Sequence, residues 1–352
     1  MLSYEYHTFP HRSEIALSPS YHHLKAFLGS DHGHSTFFVI VDQGIPRILR
    51  EDMYRIFEGY SRSIIEVPGG ERGKSSDMRS LLESRAIEVG LGTDGCMVAI
   101  GGGATLDIAG FFAATYGRGI ALVNVPSTLL SMVDSCVGGK VALNVEGVKN
   151  IVGAIKHPSR VFVQTDFLRS LSSLQIGSGF VEMAKHALLE SKEAFNRVIT
   201  SWGAASDDLI MWSLSVKIGY LEGKRRHMLN LGHTIGHAVE QLEEIDHGSA
   251  VAIGIFIESV LGYERGIVSQ DVVRASKRIL EMISPRLALK YSLEQWKRAV
   301  GFDKKNKRGV VHIVLLEALG LPHMAGDDYL MALSEREVEK SFSLLGDWSH
   351  TC

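Results

Sequence analysis

At 352 residues, with 45% hydrophobic and 22% charged side chains, the chain is long enough for two domains with their own cores. A formal net charge of −3 excludes a protein that binds polyanions over its whole surface, and no apolar run approaches the roughly 18–20 residues that span a bilayer. Three cysteines (Cys96, Cys136, Cys352) without disulfide or metal-ligand spacing, and an N-terminus without a signal-peptide pattern, predict a cytoplasmic protein with no membrane or nucleic-acid partner.

The first 35 residues hold six histidines at irregular spacing and carry no clear element. Short apolar runs at 36–42, 63–67, 95–100, 120–125 and near 161–163 then alternate with amphipathic segments at 50–60 and 76–89. That alternation predicts a mostly parallel, Rossmann-like sheet with helices on both faces. After about residue 167 the strands nearly vanish, and helices are expected over 178–190, 193–202, 206–222, 227–242, 248–265, 270–282 and 292–300. Residues 310–315 are a candidate hairpin strand. The expected organisation is an α/β domain over 1–167 and a mainly α-helical domain over 168–352, with the cleft between them as the default site.

The densest chemistry lies in the stretch from Arg226 to Glu240. On one continuous α-helix, Arg226, Asn230, His233 and His237 share a narrow face, while Met228, Leu231, Ile235 and Val239 lie opposite. His247 follows after a short acidic loop. Three imidazoles with a carboxylate from elsewhere suit a divalent metal; a pair of ordinary surface or core histidines gives the same HxxxH spacing. Glu182 and Lys185 stand one helical turn apart among apolar neighbours, where burial would set them apart from a surface pair. Gly101-Gly102-Gly103, after a buried strand, lets backbone N–H groups approach a pyrophosphate, and Asp42 at a strand end can accept from a ribose; a tight turn explains either equally well. In Asp134-Ser135-Cys136-Val137-Gly138-Gly139-Lys140, two glycines bring backbone close to a ligand with a cation at the edge. Lys149-Asn150 and the basic run Asp303-Lys304-Lys305 add to a set that suits an anionic small molecule or a solvated face.

Taken in order, Gly101-Gly102-Gly103 with Asp107, Arg118-Gly119, Pro126-Ser127-Thr128-Leu129-Leu130, Asp134 to Lys140, Lys149-Asn150, Glu182-Met183-Ala184-Lys185, Leu229 to His237, His247-Gly248 and Asp303-Lys304-Lys305 resemble 3-dehydroquinate synthase, of the sugar phosphate cyclase superfamily. The resemblance implies an NAD- and divalent-metal-dependent lyase (zinc or cobalt). It would convert 3-deoxy-D-arabino-heptulosonate 7-phosphate to 3-dehydroquinate and phosphate, in the shikimate pathway of aromatic amino acid biosynthesis. Transient oxidation by NAD, β-elimination of phosphate, re-reduction and an internal aldol step make up that chemistry.

By motif position the resemblance makes Glu182, His233 and His247 the metal ligands and moves His237 to the substrate. Asp42, Glu71, Lys74, Gly102, Gly103, Asp107, Ser127, Thr128 and Lys149 would line the NAD site. Asp134, Lys140, Asn150, Lys185, Arg226, Asn230 and His237 would carry catalysis or substrate binding, with Lys304 or Lys305 completing the anion contacts. Arg118 would reach a phosphate across a homodimer interface. The chain departs from the family pattern at Cys136 and Ser249, in the step after Asn144, and in lacking an acidic segment before Arg226; Lys217 to Arg226 is about five residues short. Two rivals are kept: another sugar phosphate cyclase of the 2-deoxy-scyllo-inosose or epi-valiolone synthase type, against which Arg226 and Asn230 speak, and a metal- and NAD-dependent polyol dehydrogenase, which would not need the lysine set.

Overall fold

The computed structural model describes residues 2–8, 11–29, 34, 36–146, 148–221, 223–301 and 310–349, and the chain divides into two compact units, 1–176 and 177–352. Lys304 and Lys305 lie outside the described residues.

The first unit contains β1 (Leu2–Thr8), β2 (His11–Ser18), α1 (His22–Gly29), β3 (Phe37–Asp42), α2 (Arg47–Ile56), β4 (Arg62–Val67), α3 (Ser76–Glu88), β5 (Cys96–Gly101), α4 (Gly103–Thr115), β6 (Ala121–Pro126), β7 (Lys140–Val145), β8 (Val148–Ile155) and β9 (Arg160–Gln164). A seven-stranded sheet runs β1-β2-β9-β6-β5-β3-β4, parallel throughout except for β1, which pairs antiparallel with β2. Every residue of β3, β5 and β9 is buried, so both faces of the sheet are covered, as their unbroken apolar runs require. The chain steps from β3 to β4 on one side and to β5 and β6 on the other. This puts the topological switch point between the carboxyl ends of β3 and β5, where open α/β sheets bind ligands.

Two features correct the sequence expectation. β1 and β2, in a stretch that carried no clear element, pair antiparallel and extend the sheet through β2 beside β9. β7 and β8, in a stretch for which no element was expected, pair as a two-stranded antiparallel ribbon. Its strands are separated by two residues, Glu146-Gly147, a hairpin signal that the glycine-rich stretch before it obscured.

The second unit holds α5 (Ser173–Glu190), α6 (Lys192–Thr200), α7 (Asp207–Tyr220), a 3-10 segment over Gly223–Asn230, α8 (His233–Glu243), α9 (His247–Glu264), α10 (Gln270–Ile283), α11 (Leu293–Gly301) and α12 (Glu335–Ser349). Short strands β10 (His312–Ile313), β11 (Leu316–Ala318), β12 (Leu321–Pro322) and β13 (Met331–Ala332) pair as β10–β13 and β11–β12. Side-chain caps set the helix starts: Ser191 accepts from Ala194 N, Ser206 from Leu209 N and Asp246 from Ser249 N. Trp296, fully buried on α11, donates its indole N–H to Val338 O and Ser341 Oγ and so ties α11 to α12, a helix the sequence reading did not anticipate.

The continuous helix expected over 227–242 is two elements. Gly232 adopts φ +77°, a left-handed turn that ends the 3-10 segment and starts α8 at His233. Arg226 and Asn230 therefore do not share a helix with His233 and His237, although Met228, Leu231, Ile235 and Val239 are all buried as the pattern required. Among the described residues no helix is long and apolar enough to cross a membrane.

Candidate active site

Three helices of the second unit bring Glu182, His233 and His247 together. Glu182 sits in the buried middle of α5, His233 is the first residue of α8 and His247 the first of α9. The Nε2 atoms of His233 and His247 each lie 3.6 Å from Glu182 Oε1, and one donor atom from each residue falls within 4.8 Å of the other two. Each ring is oriented from its far side. His233 Nδ1 is 3.1 Å from Leu231 O, and His247 Nδ1 is 3.0 Å from Glu240 Oε2, so both Nδ1 atoms donate and both Nε2 atoms face Glu182.

Glu182 Oε2 meets the Lys185 ammonium, while Oε1, which faces both imidazoles, is buried without a hydrogen bond, a state that a cation among these donors would relieve. One carboxylate and two imidazoles with further positions open are the donor set of a catalytic divalent site. Burial alone would raise the Glu182 carboxyl; the adjacent Lys185 ammonium and His247 outweigh it and hold the group well below the usual carboxylate range. Burial would lower His247, but its bonds to Glu182 and Glu240 carry it up to about 10.

Lys185 is itself buried, paired with Glu182 and donating to Leu229 O at 3.0 Å. His237 lies one turn along α8, exposed, its ring centroid 5.3 Å from that of His233. Asn230 spends its amide on His227 O, and Arg226 is exposed on the 3-10 segment.

In the first unit Asp42, Gly102 and Thr105 meet at the switch point. Asp42 ends β3, and its Oδ1 accepts from Gly44 N at 2.7 Å while its Oδ2 accepts from Thr105 Oγ1 at 2.9 Å and Gly102 N at 3.4 Å. Gly102 and Gly103 open α4, and a Cβ on Gly103 would meet Ser135 Oγ at 2.9 Å. Ser127 N donates to Gly101 O, and Thr128 exchanges hydrogen bonds with Ser131, which sets the turn after β6.

Lys74 is buried, and its ammonium meets both Asp107 and Asn150. Burial pushes the Asp107 carboxyl up to about 6, against the pull of Lys74. Asn150, at φ +56°, donates its N–H to Asn144 Oδ1, and Asn144 in turn reaches Glu71. Asn150, expected among the substrate contacts, is thus hydrogen-bonded into the Lys74–Asp107 group. Asp134 is half-buried in a turn of π-helix, and Lys140 and Lys149 are exposed on β7 and β8. Arg118 is exposed at φ +68° between two glycines.

The family model for the 3-dehydroquinate synthase N-terminal domain matches residues 64–178, and the model for its C-terminal domain matches residues 179–306. The chain belongs to the 3-dehydroquinate synthase family. It is 35% identical over 280 residues to the 3-dehydroquinate synthase of Corynebacterium jeikeium, covering 75% of this chain and 76% of that one. To the 3-dehydroquinate synthase of Staphylococcus epidermidis it is 33% identical over 322 residues, covering 85% and 89%. Among solved structures, 2-deoxy-scyllo-inosose synthase complexed with carbaglucose-6-phosphate, NAD+ and Co2+ superposes with a TM-score of 0.84 at 24% identity, over 97% of this chain and 99% of that one. That likeness establishes the fold, an α/β sheet domain followed by a helical domain.

Within the family, two of the chain's departures are interior. Cys136 is fully buried, its thiol 3.4 Å from Met132 O, and Ser249 is 3% exposed in the first turn of α9. Where the acidic segment would stand, α7 ends at Tyr220 and the 3-10 segment opens at Gly223; Lys217 is buried in the last turn of α7.

Two carboxylates hydrogen-bonded to elements of this site are missing from the sequence expectation. Glu240 was legible, since it follows His233 by seven residues and His237 by three on one helical face. Glu258 was not. It is fully buried on α9 and accepts from Gly232 N at 2.9 Å and Ile235 N at 3.2 Å, capping α8 from a neighbouring helix.

Asp42 has a structural duty that can be separated from any cofactor contact. Asp42→Ala strands the buried Thr105 hydroxyl and weakens the Gly44 turn, and is expected to lower unfolding free energy by about 2 kcal/mol. Calorimetry without cofactor reads that loss, and an unchanged melting curve would remove Asp42 from the turn.

Proposed function

We propose that this protein is a 3-dehydroquinate synthase, a carbon–oxygen lyase that converts 3-deoxy-D-arabino-heptulosonate 7-phosphate to 3-dehydroquinate and phosphate in aromatic amino acid biosynthesis. One observation carries the reading beyond family membership: a buried carboxylate faces two imidazoles whose other nitrogens are already committed. Glu182, His233 and His247 would hold a divalent ion, zinc or cobalt. Asp42, Glu71, Lys74, Gly102, Gly103, Asp107, Ser127, Thr128 and Lys149 would hold NAD at the switch point. When bound, the ion supplies Lewis acidity at a substrate alcohol, and NAD supplies a hydride acceptor regenerated within each turnover.

The chain's own groups do the rest. Lys185 balances the Glu182 charge from inside the fold, so the carboxylate stays ionised although it is fully buried. By the family's motif positions, Asp134, Lys140, Asn150, Arg226, Asn230 and His237 would contact the substrate, with Lys304 or Lys305. A guanidinium at Arg226 suits the carboxylate, and ammonium groups suit the phosphate. Arg118, held exposed by a left-handed turn, would serve the phosphate of a partner subunit. A homodimer is further supported by Val148, Ile151, Val152 and Ile155, whose apolar side chains stand 42–65% exposed along β8. The buried Cys96 and Cys136, neither in a disulfide, suit a cytoplasmic enzyme.

The test is a substrate comparison with added Co2+ and substoichiometric NAD. Heptulosonate 7-phosphate is expected to release phosphate over many turnovers with no net NADH. Release from glucose 6-phosphate or a heptulose 7-phosphate, with none from the heptulosonate, would replace this reading with that of another sugar phosphate cyclase.

A further inference from the structure

We propose that Glu240 is a positioning residue of the metal centre: its carboxylate holds His247 from behind and aims that ring's Nε2 at the space shared with Glu182 and His233. The proposal rests on the metal reading above and adds to it a residue outside the ligand set.

The geometry is that of one ring gripped on two edges. Glu240 Oε2 stands 3.0 Å from Nδ1 of His247, and Glu182 Oε1 stands 3.6 Å from Nε2 of the same ring. An imidazole that donates from Nδ1 to a carboxylate keeps its proton there, which fixes the tautomer, orients the plane and makes Nε2 the better electron-pair donor. His233 is treated differently: its Nδ1 faces the neutral carbonyl of Leu231, two residues back in its own chain segment.

Charge gives that difference a purpose. Glu182 is paired with the buried Lys185, so these two groups together bring no net charge to a dication. Glu240, 17% exposed, brings a carboxylate to the outer edge of His247, and the ring is the bridge through which it acts. Placement also favours it. Glu240 is the eighth residue of α8, whose first residue is His233, and His247 opens α9. The contact therefore locks the two ligand-bearing helix starts into one register.

Co2+ titration of the metal-free full-length protein tests this, read by chelator competition and by the visible d–d absorption of the bound ion. Glu240→Gln keeps the side chain's size and an acceptor oxygen but removes the charge. It is expected to weaken Co2+ about 10- to 100-fold and to shift the absorption band, while the metal-free protein stays folded. Glu240→Asp, which keeps the charge on a shorter arm, should fall between the two and serves if the amide variant does not fold. His247→Ala is the reference for a lost ligand. Parent affinity and an unchanged band in Glu240→Gln, with His247→Ala impaired, would overturn the positioning role alone. Parent affinity in His247→Ala, or no Co2+ binding by the parent, would overturn the metal reading and this proposal with it.

Discussion

Glu182→Gln should abolish catalysis and weaken divalent-metal binding by at least about a thousandfold, equivalent to roughly 4 kcal/mol. The substitution removes the one carboxylate that both imidazoles face, in a fully buried place where solvent does not replace it. It has a second consequence. Lys185, 1% exposed, would lose its counter-ion, and a stranded buried ammonium costs about 3–5 kcal/mol of stability. The two effects come apart in a double variant. Glu182→Gln with Lys185→Met is expected to recover most of the stability and none of the metal binding, as denaturant titration and Co2+ titration would show. Recovery of metal binding in the double variant would mean that Lys185, not the missing ligand, had weakened the site.

Gly254→Ala should destabilise the second unit by at least about 3 kcal/mol, far more than one methyl group ordinarily does. A Cβ at position 254 would lie 1.9 Å from Gly232 O and 2.7 Å from Gly236 N, both backbone atoms with no rotamer to change. Helices α8 and α9 touch backbone to backbone along Gly232, Gly236 and Gly254, and His233 and His247 begin those two helices. Separating them would move the imidazoles apart and pull Gly232 from the Glu258 carboxylate that caps it. Gly219 is the control: it is exposed on α7, and a methyl group added there would meet no atom within 4 Å. Gly219→Ala should stabilise by about 0.5–1 kcal/mol by restricting the unfolded chain. All four tryptophans (Trp202, Trp212, Trp296, Trp348) lie in 177–352, so their fluorescence reports this unit directly. Equal stability of the two alanine variants would show that the helices part without cost.

The metal-ligand candidates were legible because the family's motifs keep their order and residue types along the chain. The alternation of strands and helices was legible because burial on both faces writes unbroken apolar runs into β3, β5 and β9. The apolar stripe Met228, Leu231, Ile235 and Val239 correctly named the buried side of its segment. It could not report the break at Gly232, because the same face is buried on either side of that turn and periodicity does not record the sign of φ. The glycine itself, just after Asn230-Leu231, was the available stop signal.

Other features depended on partners distant in the chain. Lys74 looks like any surface cation in sequence, yet it is buried against Asp107 and Asn150, 33 and 76 residues away. Glu258 reads as a lone carboxylate on an apolar helix and becomes a cap for α8 only once α9 lies alongside it. By itself, then, the sequence determined the family, the two fold types and the residue types of the candidate site, since these follow from local pattern and residue chemistry. Tertiary structure decided where helices end, which charges are buried and which carboxylate stands behind which imidazole, because those depend on atoms that only folding brings within about 3 Å of each other.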